Sequence, residues 1–227
     1  MRMPTRSRGV PVVTYGLIGV NVLVYLITVA QGAGINQPGG KLFAQWWLDG
    51  AQVAHGGWWR LITAAFLHGS ILHIGFNMFV LYVVGSGVEA YLGPLRYLAV
   101  YLVSGLAGSA GALIATPPNG VTVGASGAIF GIFGALLIIE YQQTGSLAGQ
   151  AMTLIAINLV ISFSVPNISY GGHIGGLIGG ILATLALSRF GRGHVAYGRP
   201  GLVGIIGLVL VAAASVAVSY WRVRGFA

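Results

Sequence analysis

The chain has 227 residues, 56% of them hydrophobic and only 6% charged, with a net charge of +8. That balance excludes a soluble globular domain and marks an integral membrane protein. Asp49, Glu89 and Glu140 are the only acidic residues and there is no cysteine, so mechanisms needing several carboxylates, thiolates, disulfides or Cys-ligated metals are excluded as well.

The tail 1–11 carries Arg2, Arg6 and Arg8, and the positive-inside rule places it in the cytoplasm. The apolar run 12–31 is longer than the roughly 7–15-residue core of a signal peptide and reads as a retained first span. The connection 32–70 is long and holds Trp46, Trp47, Trp58 and Trp59, aromatics suited to the headgroup boundary, so it is expected in the outer interface.

Further apolar stretches at 71–91, 95–115, 126–140, 147–165, 172–188 and 201–221 bring the expected spans to seven. Most approach the roughly 20 residues that a helix needs to cross about 30 Å of hydrocarbon. Pro117-Pro118-Asn119 and Pro166-Asn167 cut the long charge-free runs. By parity, seven basic residues fall inside (Arg2, Arg6, Arg8, Arg96, Arg189, Arg192, Arg199) and four outside (Lys41, Arg60, Arg222, Arg224). Such scattered charge orients a chain in a cell membrane and does not form a nucleic-acid stripe. The expected fold class is all-α, a polytopic membrane helix bundle.

Parity also fixes the depth of the polar residues. Spans two, four and six enter from the outer side, so His73 and Asn77 on the second, Ser126 on the fourth and His173 on the sixth share one layer. His73 and Asn77 lie one helical turn apart on one face. Intramembrane polar groups are costly, and four at one level suggest a site. Gly127-xxx-Gly131 follows the serine, and Gly172, Gly176 and Gly180 surround the histidine at spacing four. Small residues at that spacing let helix backbones approach closely, which would bring a serine and a histidine to the geometry of nucleophile and base. Each signal alone has a plainer reading: a membrane serine usually bonds its own helix, and a histidine near a helix end is usually interfacial.

Taken together, "WWRLITAAFLHGSILHIGFNM", "GASGAIFG" and "GGHIGGLIGG", in this order, resemble the rhomboid family of intramembrane serine proteases. The resemblance covers about residues 12–190 and implies a six-helix core that cuts transmembrane substrates, single-span or polytopic, near the membrane surface. Residues 191–200 are then a cytoplasmic linker, 201–221 an added C-terminal transmembrane helix and 222–227 an outer tail. Ser126 corresponds to the nucleophile and His173 to its general base, while Asn77 and His73 correspond to oxyanion-hole side chains. Trp59-Arg60 matches a structural motif of the first outer loop. Glu89 falls where the family often keeps a buried polar contact, and His68 and Gly124 belong to the matched motifs. Two positions depart from the pattern: Phe130 stands where some members have a tyrosine packed on the histidine, and Gly172 replaces a common alanine. Entry of substrate past the fifth helix and its following loop, about 147–171, is likewise implied only by the resemblance.

Serine needs a neighbouring base to become nucleophilic, and neutral imidazole suits that task near pH 7. No carboxylate is placed to orient the imidazole, so the expected unit is a Ser126–His173 dyad whose tautomer is held by packing against Phe130. The Ser126 backbone N–H, at a helix N-terminus, adds an oxyanion donor to Asn77 and His73. No cofactor and no metal are implied, since His73-xxx-Asn77 lacks the glutamate of a zinc-protease motif. A transporter or channel and a non-catalytic rhomboid-like client binder are the rival classes. The first is disfavoured by polar residues gathered at one depth, and the second by retention of both serine and histidine.

Overall fold

The computed structural model describes residues 9–188 and 201–226. Arg2, Arg6 and Arg8 of the tail, His194 and the 191–200 linker lie outside these residues, as do Arg189, Arg192 and Arg199. The described residues are helical apart from turns and two isolated β-bridges, which gives an all-α membrane bundle.

Helix α1 spans Val12–Gln31. The long connection that follows is folded into three short helices, α2 (Gly40–Trp46), α3 (Gly50–Ala54) and α4 (Arg60–Thr63). Next come α5 (Ile71–Val80), a widened π turn at Leu81–Gly85 and α6 (Ser86–Leu92), which together form one span of 22 residues. Gly93, at φ +80°, makes the corner that ends α6 and starts α7 (Pro94–Ala115), a conformation in which a side chain would be strained. Helices α8 (Ser126–Thr144), α9 (Gln150–Ser164), α10 (Tyr170–Leu187) and α11 (Leu202–Val223) complete the order.

Five of these units are long and apolar enough to cross a membrane: Val12–Gln31, Ile71–Leu92, Pro94–Ala115, Tyr170–Leu187 and Leu202–Val223. The other two stretches read as spans differ in a telling way. Helix α8 is buried continuously from Ala128 to Ile139, so it is the central post of the bundle and meets protein on every side. Helix α9 has only 15 residues and buries Ala151, Ile155 and Ser162, so most of its surface is left to lipid.

Glycines set the spacing of the central helices. A Cβ added at Gly176 would collide with the carbonyl oxygen of Gly127, and one at Gly180 with that of Gly131. A Cβ at Gly127 would in turn stand 3.3 Å from the Gly172 oxygen. Helices α8 and α10 therefore touch backbone to backbone, as small-residue spacing in a membrane allows. Gly108, Gly111 and Gly175 bring α7 into the same contact.

All three carboxylates of the chain hold helix N-termini. Asp49 accepts from the Gln52 N–H at 2.7 Å and caps α3. Glu89, on α6, accepts from the Val13 N–H at 3.0 Å and from the Thr14 N–H and hydroxyl at 2.7 Å, and so caps α1. Glu140, on α8, accepts from the Ala151 N–H at 3.0 Å and fixes the first turn of α9. The first N–H groups of a helix lack internal partners and carry partial positive charge, so a carboxylate there is stabilising where water is scarce.

Candidate active site

The site is built where α5, α8 and α10 begin, at the end of the bundle that carries the 32–70 connection. That connection is rigidly held. The Arg60 guanidinium, only 5% exposed, donates to the carbonyls of Ala44 at 3.0 Å and Trp47 at 2.8 Å. The Trp59 indole donates to the Gln45 carbonyl at 3.0 Å. Leu48 and Thr122 exchange both backbone hydrogen bonds, at 3.0 and 2.8 Å, and the Gly124 N–H donates to the Ala64 carbonyl at 2.9 Å. The turn leading into α8 is thereby pinned to the connection, and Ser126 is presented as the first residue of its helix.

His173 comes from the first turn of α10, after Ser169 caps that helix through the Gly172 N–H at 3.2 Å. Its Nε2 lies 2.8 Å from Ser126 Oγ, across a helix pair and 47 residues of sequence. The imidazole is 7% exposed, and the ring of Phe130 lies nearly parallel to it, with centroids 4.2 Å apart and planes inclined by 16°.

Packing against Phe130 is not all that holds this imidazole. Its Nδ1 lies 2.6 Å from Ser162 Oγ on α9, and Ser162 Oγ lies 2.5 Å from the Asn158 carbonyl oxygen. A hydroxyl thus occupies the place where a carboxylate orients the imidazole in a Ser-His-Asp triad. The signal available was Asn158-xxx-Ser162, two polar residues one turn apart in the fifth apolar run.

The remaining residues fall around this centre. Gly124 has φ +126°, and a Cβ there would stand 2.7 Å from His73 Nε2 and 3.7 Å from Ser126 Oγ, so a side chain at this position would be strained and would crowd the His73 ring beside the serine. His73 Nδ1 accepts from the Gly69 N–H at 3.4 Å. Asn77 is buried one turn further along α5, with its amide donating to the His73 carbonyl at 3.0 Å. His68 precedes α5 and is fully buried, its ring edge-on to His73 with centroids 5.0 Å apart. Burial, and secondarily the nearby His73, lower its pKa from 6.5 to about 3, so it is a neutral packing group. Glu89 is remote from this centre, bound to α1. A cavity of about 30 Å³ borders Ser126 and is lined also by Ser109, Thr122 and Ser169, which is room enough for an ordered water. Among the described residues no group of three or more His, Asp or Glu side chains could hold a metal ion.

Comparison with known proteins fits this arrangement. The family model for the rhomboid domain matches residues 55–190, more than half of the chain. The chain belongs to the rhomboid family. It is 37% identical over 185 residues to rhomboid protease GluP of Bacillus subtilis, covering 80% of this chain but 36% of that protein. The putative rhomboid protease YdcA of the same organism is 41% identical over 135 residues, 57% of this chain and 67% of that protein. RHOMBOID-like protein 5 of Arabidopsis thaliana is 35% identical over 164 residues, 68% of this chain and 53% of that protein. The chain thus spans between about a third and two thirds of these rhomboid relatives. The matched segment contains Ser126, His68, His73, His173 and the Trp59-Arg60 pair, and leaves out α1 and α11.

Proposed function

We propose that this rhomboid is an intramembrane serine endopeptidase, hydrolysing peptide bonds of single-span or polytopic membrane proteins near the outer face of a cell membrane. The observation that carries the reading is the 2.8 Å approach of His173 Nε2 to Ser126 Oγ. An isolated serine on an apolar helix has no need of an imidazole from another helix, whereas a nucleophile does.

In this reading Ser126 Oγ attacks the scissile carbonyl while its proton passes to His173 Nε2. The oxyanion that forms meets the Ser126 N–H, uncommitted because Ser126 opens its helix, together with the Asn77 amide and the His73 ring. The imidazolium returns its proton to the leaving amine, and water then releases the acyl group by the same relay in reverse. The cavity beside Ser126 offers that water a polar approach. The tail 1–11 lies in the cytoplasm, 12–190 forms the protease core and 201–221 is an added helix, with the active site toward the outer side.

The test is cleavage of a single-span substrate by the detergent-solubilised protein. Wild type should cleave it and should react at Ser126 with a fluorophosphonate. Ser126→Ala and His173→Ala should each abolish turnover with the melting temperature preserved. Turnover by Ser126→Ala at the wild-type rate would overturn the assignment.

A further inference from the structure

Ser162 stands 36 residues after Ser126, on a helix that otherwise buries only Ala151 and Ile155, and yet it is 3% exposed because it sits directly behind the catalytic imidazole. Three oxygen and nitrogen atoms meet at this point: the Asn158 carbonyl oxygen, Ser162 Oγ and His173 Nδ1. A hydroxyl has one proton to give and lone pairs to accept with. A carbonyl oxygen can only accept, so the 2.5 Å contact to Asn158 uses the single Ser162 proton. Toward His173, 2.6 Å away, Ser162 Oγ can then only accept, and Nδ1 must carry the hydrogen. A neutral imidazole with its proton on Nδ1 presents a bare lone pair at Nε2, the atom 2.8 Å from Ser126 Oγ.

Resting on the dyad reading above, we infer that Ser162 is a positioning residue that fixes the Nδ1–H tautomer of His173, so that Nε2 is free to take the Ser126 proton. The carbonyl of Asn158, the hydroxyl of Ser162 and the imidazole of His173 form a directed chain that does the orienting work a buried carboxylate does in soluble serine proteases. No charge is buried in the membrane to achieve it. During attack the Ser126 proton moves to Nε2 and the imidazolium holds both N–H groups, one on the substrate side and one still donated to Ser162. When Nε2 releases its proton to the leaving amine, the starting tautomer is restored, and Ser162 neither gains nor loses a proton at any step. The hydrogen bond to Ser162 is stronger in the charged imidazolium than in the neutral ring, so it favours the transition state over the ground state.

The relay also ties the imidazole to α9. That helix is held at its first turn by Glu140 and near its last turn by Ser162, and its remaining surface is largely exposed. Displacing its Ser162 end would therefore release the tautomer lock.

The experiment compares wild type, Ser162→Ala and Ser162→Thr in detergent. Ser162→Ala should lower kcat by roughly 10- to 100-fold, as expected for loss of a hydrogen bond to a charged group, with KM unchanged because Ser162 does not face substrate. Ser162→Thr keeps the hydroxyl and should recover most of the rate. Nitrogen-15 NMR of histidine-labelled protein, with the His173 signals identified from His173→Ala, should show protonated Nδ1 and bare Nε2 in wild type and a tautomer mixture in Ser162→Ala. Wild-type kcat in Ser162→Ala, or a wild-type His173 protonated on Nε2, overturns the role of Ser162. The NMR result on wild type stands even where Ser162→Ala does not fold. Wild-type protein that no fluorophosphonate labels overturns the protease reading itself, whereas labelled wild type with an unaltered Ser162→Ala overturns only the positioning role.

Discussion

The α-carbon of Gly176 faces the carbonyl oxygen of Gly127 so closely that a Cβ would collide with it, one helical turn from the His173–Ser126 contact. The Ser126–His173 distance is thus set by glycines, because the backbones of α8 and α10 touch where they carry these two side chains. Gly176→Ala should force the helices apart, at a stability cost of about 1–3 kcal/mol typical of overpacking. Thermal unfolding in detergent should register that loss, and Ser126 should react more slowly with a fluorophosphonate. An alanine variant with wild-type melting and labelling would show that the helix pair tolerates the added methyl.

Asn77 is proposed as an oxyanion donor, and its amide is already oriented by the His73 carbonyl at 3.0 Å. Asn77→Ala should lower the cleavage rate by about 10²–10³, the usual effect of removing one oxyanion donor. Steady-state cleavage rates of folded wild type and variant are the measurement. A rate within a few-fold of wild type would remove Asn77 from the site.

His68 should make stability depend on pH. Its pKa is about 3 in the folded protein, lowered by burial from 6.5. Between those values the unfolded chain binds a proton that the native state does not. Native stability is then full above pH 6.5 and falls as the pH is lowered toward about 3, by at most about 1.4 kcal/mol per pH unit. Melting temperatures of wild type and His68→Gln, taken from about pH 7 to pH 4, should converge as the pH falls. Parallel curves would mean that His68 does not carry this dependence.

Much of this architecture was legible in the residues. The helices α1, α7 and α11 begin and end within a few residues of the apolar runs 12–31, 95–115 and 201–221, because a membrane demands long uncharged helices and their ends carry charge, Pro or Gly. The Gly127/Gly131 and Gly172/Gly176/Gly180 spacings pointed to close helix approach, and those residues form the contact. The folding of 32–70 was less legible. Its short helices are held by Arg60, Trp59 and Thr63 donating to carbonyls far along the chain, and such contacts leave no periodicity to read.

The partners of the polar side chains were the hardest to foresee. Glu89 and Glu140 were visible as rare acids at the ends of spans, yet their use as caps for α1 and α9 depends on which helix starts beside them. Ser162 was hidden for the same reason: an i, i+4 polar pair in an apolar helix is equally compatible with simple bonding to its own backbone.

By itself the sequence determined the membrane setting and the helical class, and parity gave the expectation that Ser126, His73, Asn77 and His173 share a layer. Hydrophobic length and parity are one-dimensional properties, which a string of residues carries in full. Only the tertiary structure decided which atoms meet, because the rotation of α9 about its axis and the glycine-limited spacing of α8 and α10 are set by packing among distant residues. That packing gives His173 one hydroxyl on Nε2 and another on Nδ1.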